Sequence, residues 1–278
     1  MRHKIALVSL VIVVAAVAVG LAQAPQGPPP GGRAGGPPHG RGGPFPRVPA
    51  LPFPTSPQVF DTIHQRIRVV PFVRGLAAPW SMAFLPNGDM LVTEKPGRLR
   101  IVRSGVLDPQ PITGVPPVFA AGQGGLLEVA LHPRFAENRW VYLTYSKPGD
   151  RGNTTALLRA RFDGNALADA RDIFVAEAWS QGQAHFGSKL AFGRDGMLYM
   201  TVGERNERNR AQDLGEHTGK VLRLRDDGTA PPDNPFASRA GAKPEIYSYG
   251  HRNLQALSIH PDTGELWEPS TGRKGATS

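Results

Sequence analysis

The chain has 278 residues, of which 20% are charged, and a formal net charge of +9. It contains no cysteine, which excludes disulfide bonds, thiolate metal sites and cysteine nucleophiles. Lys and Arg do not form runs interleaved with aromatic residues, so we expect no nucleic-acid partner.

The first residues have the pattern of a secretory signal. A basic start, Arg2-His-Lys4, is followed by an uncharged apolar run over residues 5–21 and then by Ala22-Gln-Ala24. This pattern predicts a cleavable signal peptide over residues 1–24. An uncleaved membrane anchor is the alternative, because the run is about as long as the shortest spanning helix. In both cases we expect the rest of the chain to be exported, to the periplasm or out of the cell.

Proline and glycine dominate the next segment, residues 25–58, which has few apolar residues and no periodicity. Such a composition cannot bury enough apolar surface to offset the entropy lost on ordering. We therefore predict a disordered linker over residues 25–58 and a folded domain over residues 59–278.

The folded domain is predicted to contain repeated β-hairpins. Ser81–Thr93 and Lys189–Thr201 align without a gap, with Asn-Gly in one and Asp-Gly in the other at the centre. These dipeptides between β-rich runs are a strong hairpin signal, because a tight type I′ turn needs positive φ. Two looser copies run from Leu127 to Thr144 and from Leu257 to Trp267.

The repetition indicates the architecture. A hairpin that recurs at intervals of about 45 to 70 residues, with no long helix between copies, is typical of a β-propeller. A β-sandwich is the alternative, but it does not account for the constant internal spacing. We therefore predict an all-β fold of the β-propeller class.

Six motifs in order resemble those of the glucose/sorbosone dehydrogenase family, especially its bacterial aldose sugar dehydrogenases. The resemblance covers roughly residues 68–268. The motifs are Gly122–Pro133, His185–Phe192, Thr201–Arg205, Ala211–Lys220, Asp233–Phe236 and Tyr247–Asn253.

The resemblance implies a six-bladed propeller that binds pyrroloquinoline quinone (PQQ) and a sugar at one mouth of its central channel. The implied reaction oxidises an aldose to a lactone by hydride transfer to the quinone, and the electrons then pass to an external acceptor. His185 matches the general base of the family, and Glu204 matches its acidic partner. Imidazole suits this task because its pKa lies near the working pH.

Three further residues match family positions at the cofactor. Arg252 matches an arginine against the reactive carbonyls of the quinone, where a fixed positive charge would stabilise the reduced form. Asn253 and Gln123 match neighbouring polar contacts. Structural alternatives stay open: Gln123 lies in Gly-Gln-Gly-Gly and could serve a tight turn, and arginines such as Arg252 commonly pair with carboxylates.

The match is incomplete toward the end of the chain. Residues 269–278 do not align with the family motifs, and the resemblance implies that calcium ligands lie in family segments that follow. We name no metal ligand in this chain. About four blades fit the sequence, whereas the resemblance implies six, so we expect an open arc with unpaired sheet edges. We expect impaired activity, because half of the implied cofactor site is then missing. The alternative is a non-catalytic propeller fragment that binds carbohydrate or protein.

Overall fold

The computed structural model describes residues 54–268. The predicted signal peptide and most of the predicted linker lie outside the described residues, as does the tail 269–278. The chain divides into two compact units, Met1–Pro71 and Phe72–Ser278. The described part of the chain contains no helix with the length and apolar character that a membrane span requires.

The described residues of the first unit form one antiparallel hairpin. Its strands are exposed, and an ion pair between Arg66 and Asp61 joins them, with Nε and Oδ1 2.6 Å apart. The strands are β1 (Gln58–Asp61) and β2 (Arg66–Val69).

The described residues of the second unit form three four-stranded sheets, which we call the first, second and third blades. Each blade is an antiparallel meander whose strands pair in chain order. The first blade consists of β3 (Pro79–Phe84), β4 (Met90–Glu94), β5 (Arg98–Arg103) and β6 (Val106–Leu107). The second consists of β7 (Leu126–Leu131), β8 (Trp140–Gly149), β9 (Gly152–Phe162) and β10 (Leu167–Val175). The third consists of β11 (Gly187–Phe192), β12 (Leu198–Val202), β13 (Lys220–Leu224) and β14 (Ile246–Tyr249).

Short elements complete the described fold. A two-stranded hairpin, β15 (Ser258–Ile259) and β16 (Leu266–Trp267), follows the third blade. A single helical turn, α1 (Phe135–Asn138), joins β7 to β8, and a 3₁₀ helix covers Arg208–Gln212. The predicted all-β propeller fold is confirmed, as an open arc of three blades and this hairpin where about four blades were expected.

Apolar side chains of neighbouring blades form the core. One buried cluster combines Leu91 and Ile101 of the first blade with Leu143 of the second. Another combines Leu157 of the second blade with Met200 of the third. Each blade therefore buries its apolar face against the next blade, as the arrangement of a propeller requires.

One threonine in each blade donates a hydrogen bond to the backbone of the segment that follows the blade. These threonines occupy matching places in the sequence repeat. The Oγ1 atoms of Thr93, Thr144 and Thr201 donate to Leu127 O (2.5 Å), Ser188 O (2.7 Å) and Leu254 O (2.9 Å). Each Oγ1 also accepts a backbone N–H from the first strand of its own blade. All three threonines are fully buried. The repeat therefore preserves a hydrogen-bonding role as well as a turn.

Thr144→Val is expected to lower the free energy of unfolding by about 1–3 kcal/mol, because it leaves a buried N–H and a buried C=O without partners while preserving shape. Urea denaturation measures the change. Thr263→Val, at an exposed position, is the control and should stay within about 0.5 kcal/mol of the unaltered chain. Equal effects of the two substitutions would contradict the inter-blade role.

Candidate functional site

The topology brings the site residues predicted from sequence to one end of the second and third blades. Gln123 precedes β7 and His185 precedes β11, while Glu204 follows β12 and Arg252 follows β14. In an antiparallel meander, the start of the first strand and the ends of the second and fourth strands lie at the same edge. Residues far apart in sequence therefore meet there.

His185 and Glu204 form a buried pair. Nδ1 of His185 lies 2.7 Å from Oε2 of Glu204, and the two side chains are only 11% and 2% exposed. Since a carboxylate only accepts hydrogen bonds, Nδ1 carries the ring proton of the neutral histidine. Nε2 then has a free lone pair and no hydrogen-bond partner among residues 54–268. This tautomer is the one that a general base acting through Nε2 needs.

Gln123 and Asn253 hold the backbone on both sides of His185. Oε1 of Gln123 accepts the backbone N–H of His185 at 2.8 Å, and Oδ1 of Asn253 accepts that of Gly187 at 3.1 Å. Their side-chain NH₂ groups make no hydrogen bond within the described part of the chain and remain available as donors. Both residues thus lie at the site, with a positioning contact that the sequence did not predict.

The backbone of the site is strained. His185, Ser188, Arg205 and Asn206 have φ values of 54°, 89°, 57° and 63°. Residues other than glycine rarely adopt this left-handed region, because each costs on the order of 1–3 kcal/mol and persists only where its surroundings fix it. The backbone of His185 also lies so close to residue 203 that this residue must be glycine, because a Cβ there would lie 2.1 Å from the carbonyl oxygen of His185.

Arg205 is a component of the site to which sequence reasoning gave no role. It is fully buried; Nη2 donates to Asn153 Oδ1 (2.6 Å) and Gly182 O (2.7 Å), and Nε donates to Ala184 O (3.1 Å). Its guanidinium carbon lies 3.7 Å from the centre of the Phe186 ring. Burial lowers the pKa of Arg205 to about 10. The only sequence signal was its position directly after Glu204 in a family motif.

Arg252 lies on the other side of Glu204. Its Nε is 3.6 Å from Oε1 of Glu204, a buried oxygen that accepts no hydrogen bond within the described residues. The backbone carbonyl of Arg252 accepts the N–H of Glu204 at 2.8 Å. The Arg252 side chain is 46% exposed, and its terminal nitrogens have no hydrogen-bond partner in residues 54–268. One carboxylate therefore connects the histidine to a cation that can still bind a ligand.

Two further histidines and an aspartate have structural roles. Nδ1 of His132 accepts the N–H of Arg134 (3.0 Å), and Nδ1 of His260 accepts the N–H groups of Asp262 and Thr263 (3.2 and 3.1 Å). Both histidines, each followed by a proline, are therefore turn residues. Asp227 likewise caps a turn, by accepting from Thr229. Among the described residues no group of three or more His, Asp and Glu could hold a metal ion.

Comparisons with known proteins identify the family of this chain. The model of the family described as Glucose / Sorbosone dehydrogenase matches residues 76–277, and thus continues past Glu268 into the segment that the motifs left unaligned. An uncharacterised Synechocystis protein is 46% identical over 238 residues, which cover 79% of this chain and 58% of that protein. Aldose sugar dehydrogenase YliI of Escherichia coli is 43% identical over 201 residues, which cover 71% and 54%. This chain therefore spans little more than half the length of these relatives.

Solved structures give the same result. The apo-form soluble aldose sugar dehydrogenase of Escherichia coli matches with a TM-score of 0.69 and 42% identity, over 71% of this chain and 58% of that one. The PQQ-bound aldose sugar dehydrogenase of Streptomyces coelicolor matches with a TM-score of 0.64 and 32% identity, over 78% and 61%. The propeller blades, the ordered motifs and the matched family model together show that this chain belongs to the glucose/sorbosone dehydrogenase family.

Proposed function

We propose that this chain carries the site of a PQQ-dependent sugar dehydrogenase that oxidises aldoses to lactones. The observation that carries the proposal is the buried His185–Glu204 pair, 2.7 Å apart, next to a half-exposed arginine. The relatives support the reaction class, since they include an aldose sugar dehydrogenase and a PQQ-bound structure.

His185 is the proposed general base. Oxidation of the anomeric carbon removes a hydride from carbon and a proton from the anomeric hydroxyl, and Nε2 of His185 accepts that proton. When bound, PQQ supplies the two-electron acceptor for the hydride. Glu204 stabilises the imidazolium that forms, because its carboxylate accepts a hydrogen bond from Nδ1–H at close range.

The residues present fit an anionic quinone. PQQ carries carboxylates and carbonyl oxygens, which accept hydrogen bonds. The site offers a cation in Arg252 and unpartnered NH₂ groups on Gln123 and Asn253. The buried Oε1 of Glu204 lacks a full hydrogen-bond partner and keeps the guanidinium of Arg252 near the base. We propose these three residues as cofactor contacts, and calcium as a family cofactor with ligands outside residues 54–268.

Arg252→Ala is expected to weaken PQQ binding about 10- to 100-fold, because charge-assisted hydrogen bonds contribute about 1.5–3 kcal/mol each. Titration followed by the absorbance of the quinone measures the affinity. Arg134→Ala is the matched control, since Arg134 is exposed and its ion pair within residues 54–268 is with Glu137. Equal affinity of the Arg252 variant and the unaltered chain would contradict the proposed contact.

We further propose that the protein is exported and passes its electrons to an external acceptor. The basic and apolar start of the chain supports export to the periplasm or outside the cell, through a cleaved signal or an anchor. An exported sugar dehydrogenase passes its electrons to an acceptor outside the cytoplasm. Fusing residues 1–58 to a reporter enzyme and measuring its activity in periplasmic and cytoplasmic fractions tests the location, and a purely cytoplasmic reporter would contradict it.

The second candidate is a non-catalytic propeller that binds carbohydrate or protein. Exposed aromatic side chains after and within the third blade favour it: Tyr247, Tyr249 and Trp267 are 38%, 41% and 58% exposed. Aldose-dependent dye reduction distinguishes the two candidates. Reduction that requires added PQQ supports the dehydrogenase, whereas saccharide binding without any PQQ-dependent reduction supports the second candidate.

A further inference from the structure

His185 belongs to a segment without regular secondary structure, residues 182–186, whose backbone is nevertheless fixed by hydrogen bonds. Each of its five carbonyls accepts one. The backbone N–H of Gln123 and Oγ1 of Thr155 donate to two of these carbonyls, at 2.7 and 2.8 Å. The other three accept hydrogen bonds from Arg205. One residue therefore supplies most of the donors that shape the segment around the base.

Arg205 reaches this segment with both its backbone and its side chain. The backbone N–H donates to His185 O (3.3 Å), Nε donates to Ala184 O (3.1 Å), and Nη2 donates to Gly182 O (2.7 Å). The guanidinium carbon also lies 3.7 Å from the centre of the Phe186 ring. The contacts of Arg205 thus lie before, at and after His185 in the chain.

The same guanidinium is anchored in the second blade through Asn153, at the start of β9. Nη1 donates to the backbone oxygen of Asn153 at 3.3 Å, and Nη2 donates to its Oδ1 at 2.6 Å. Asn153 is buried, and its backbone exchanges two hydrogen bonds with that of Ser180, at 2.9 and 3.1 Å. Arg205 therefore connects the second blade to the segment that carries the base of the third.

This arrangement is unfavourable in two respects, which indicates a function other than core stability. Arg205 is fully buried, and its side chain donates only to neutral oxygens, although burying a cation is costly. The φ values of Arg205 and His185 are 57° and 54°, in the left-handed region. Backbone strain that is held in place by its surroundings is concentrated at functional sites.

We propose that Arg205 is a positioning residue for the general base, which holds the segment 182–186 against the second blade so that Nδ1 of His185 meets Glu204. This inference rests on the proposed dehydrogenase function and assigns Arg205 no contact with the sugar or the quinone. A displacement of about 1 Å in a catalytic site lowers a rate by as much as about 100-fold. Loss of the guanidinium should therefore lower kcat and leave the binding of sugar and quinone intact.

Arg205→Lys tests this division, because it keeps the charge but replaces the planar guanidinium with one nitrogen. We expect kcat for glucose oxidation by the PQQ-loaded chain to fall about 10- to 100-fold, with KM and PQQ affinity within about twofold of the unaltered chain. Arg208→Lys, at an exposed position of the 3₁₀ helix, is the matched control and should retain kcat. An unchanged kcat in Arg205→Lys, or a loss of kcat matched by an equal loss of PQQ affinity, would overturn the proposal.

Rescue of Arg205→Ala by added guanidinium separates positioning from general stability. Arg205 lines a surface cavity of about 590 Å³, through which a small cation can reach the vacated place. Millimolar guanidinium should raise the kcat of this variant at least about fivefold, because its planar donors fit the same oxygens, whereas methylammonium should not. A folded Arg205→Ala variant that guanidinium does not rescue would count against the proposal. If this variant does not fold, Arg205→Lys still decides.

Histidine NMR of the chain without PQQ distinguishes failure of this inference from failure of the dehydrogenase proposal. In the ¹⁵N-histidine-labelled chain, the Nδ1–H signal of His185 is identified by its loss in His185→Ala. Arg205→Lys should speed the exchange of this proton with water at least about tenfold, and Arg208→Lys should not. Unchanged exchange in Arg205→Lys would overturn the positioning role even in an active enzyme. Faster exchange in a chain that oxidises no sugar would contradict the dehydrogenase proposal alone.

Discussion

His185→Ala is expected to lower aldose oxidation by the PQQ-loaded chain about 10²- to 10⁴-fold, the usual contribution of a positioned general base. The reason is that Nδ1–H of His185 donates a hydrogen bond to Glu204, which leaves Nε2 as the basic atom. Steady-state dye reduction with glucose measures the rate. The loss should fall on kcat, because the proton is transferred in the chemical step, and PQQ affinity should change little.

A second histidine serves as the matched control. His260 accepts turn hydrogen bonds through Nδ1, and His260→Asn preserves an acceptor at that place. This variant should retain the rate of the unaltered chain. If His185→Ala kept more than about a tenth of the activity, His185 would not be the base.

Glu204→Gln is expected to reduce kcat by about 10²- to 10⁴-fold, as happens when the orienting carboxylate of a catalytic histidine becomes an amide. Oε2 of Glu204 accepts from both Nδ1 of His185 and the backbone N–H of Asn206, so the amide oxygen of glutamine keeps that place. The substitution acts through the loss of the negative charge that lies between His185 and Arg252 and stabilises the imidazolium. Steady-state dye reduction with glucose measures kcat and KM.

Glu137→Gln, on the exposed turn α1, is the control and should retain the kcat of the unaltered chain. An unchanged kcat in Glu204→Gln would remove Glu204 from the mechanism.

The hairpins were predictable because their signals are local. Asn87-Gly88 and Asp195-Gly196 each lie between the paired strands that the repeat predicts, β3–β4 and β11–β12. The outer strands β9 and β10 could not be predicted in this way. Their pairing register shifts between Ala168 and Arg171 and again near Phe174, so no regular alternation of apolar residues marks them in the sequence. Their conformation depends on the neighbouring strands more than on alternation along the chain.

The site was predictable only in part. The resemblance selected His185, Glu204 and Arg252, and the structure brings them together. It did not indicate that Gln123 and Asn253 hold the His185 backbone, because those contacts join segments about 60 residues apart in sequence. The left-handed φ of His185 could not be predicted from the sequence either, since histidine, unlike glycine, does not indicate positive φ.

Anaerobic reduction of bound quinone is the decisive test of the proposed dehydrogenase site. The purified chain is titrated with PQQ in the presence of calcium, freed of excess cofactor and mixed with glucose, while the absorbance of the quinone is recorded. We expect stoichiometric PQQ binding and reduction of the quinone by the sugar, at a rate that His185→Ala lowers. A chain that binds no PQQ, or whose bound quinone is reduced equally fast without His185, would contradict it.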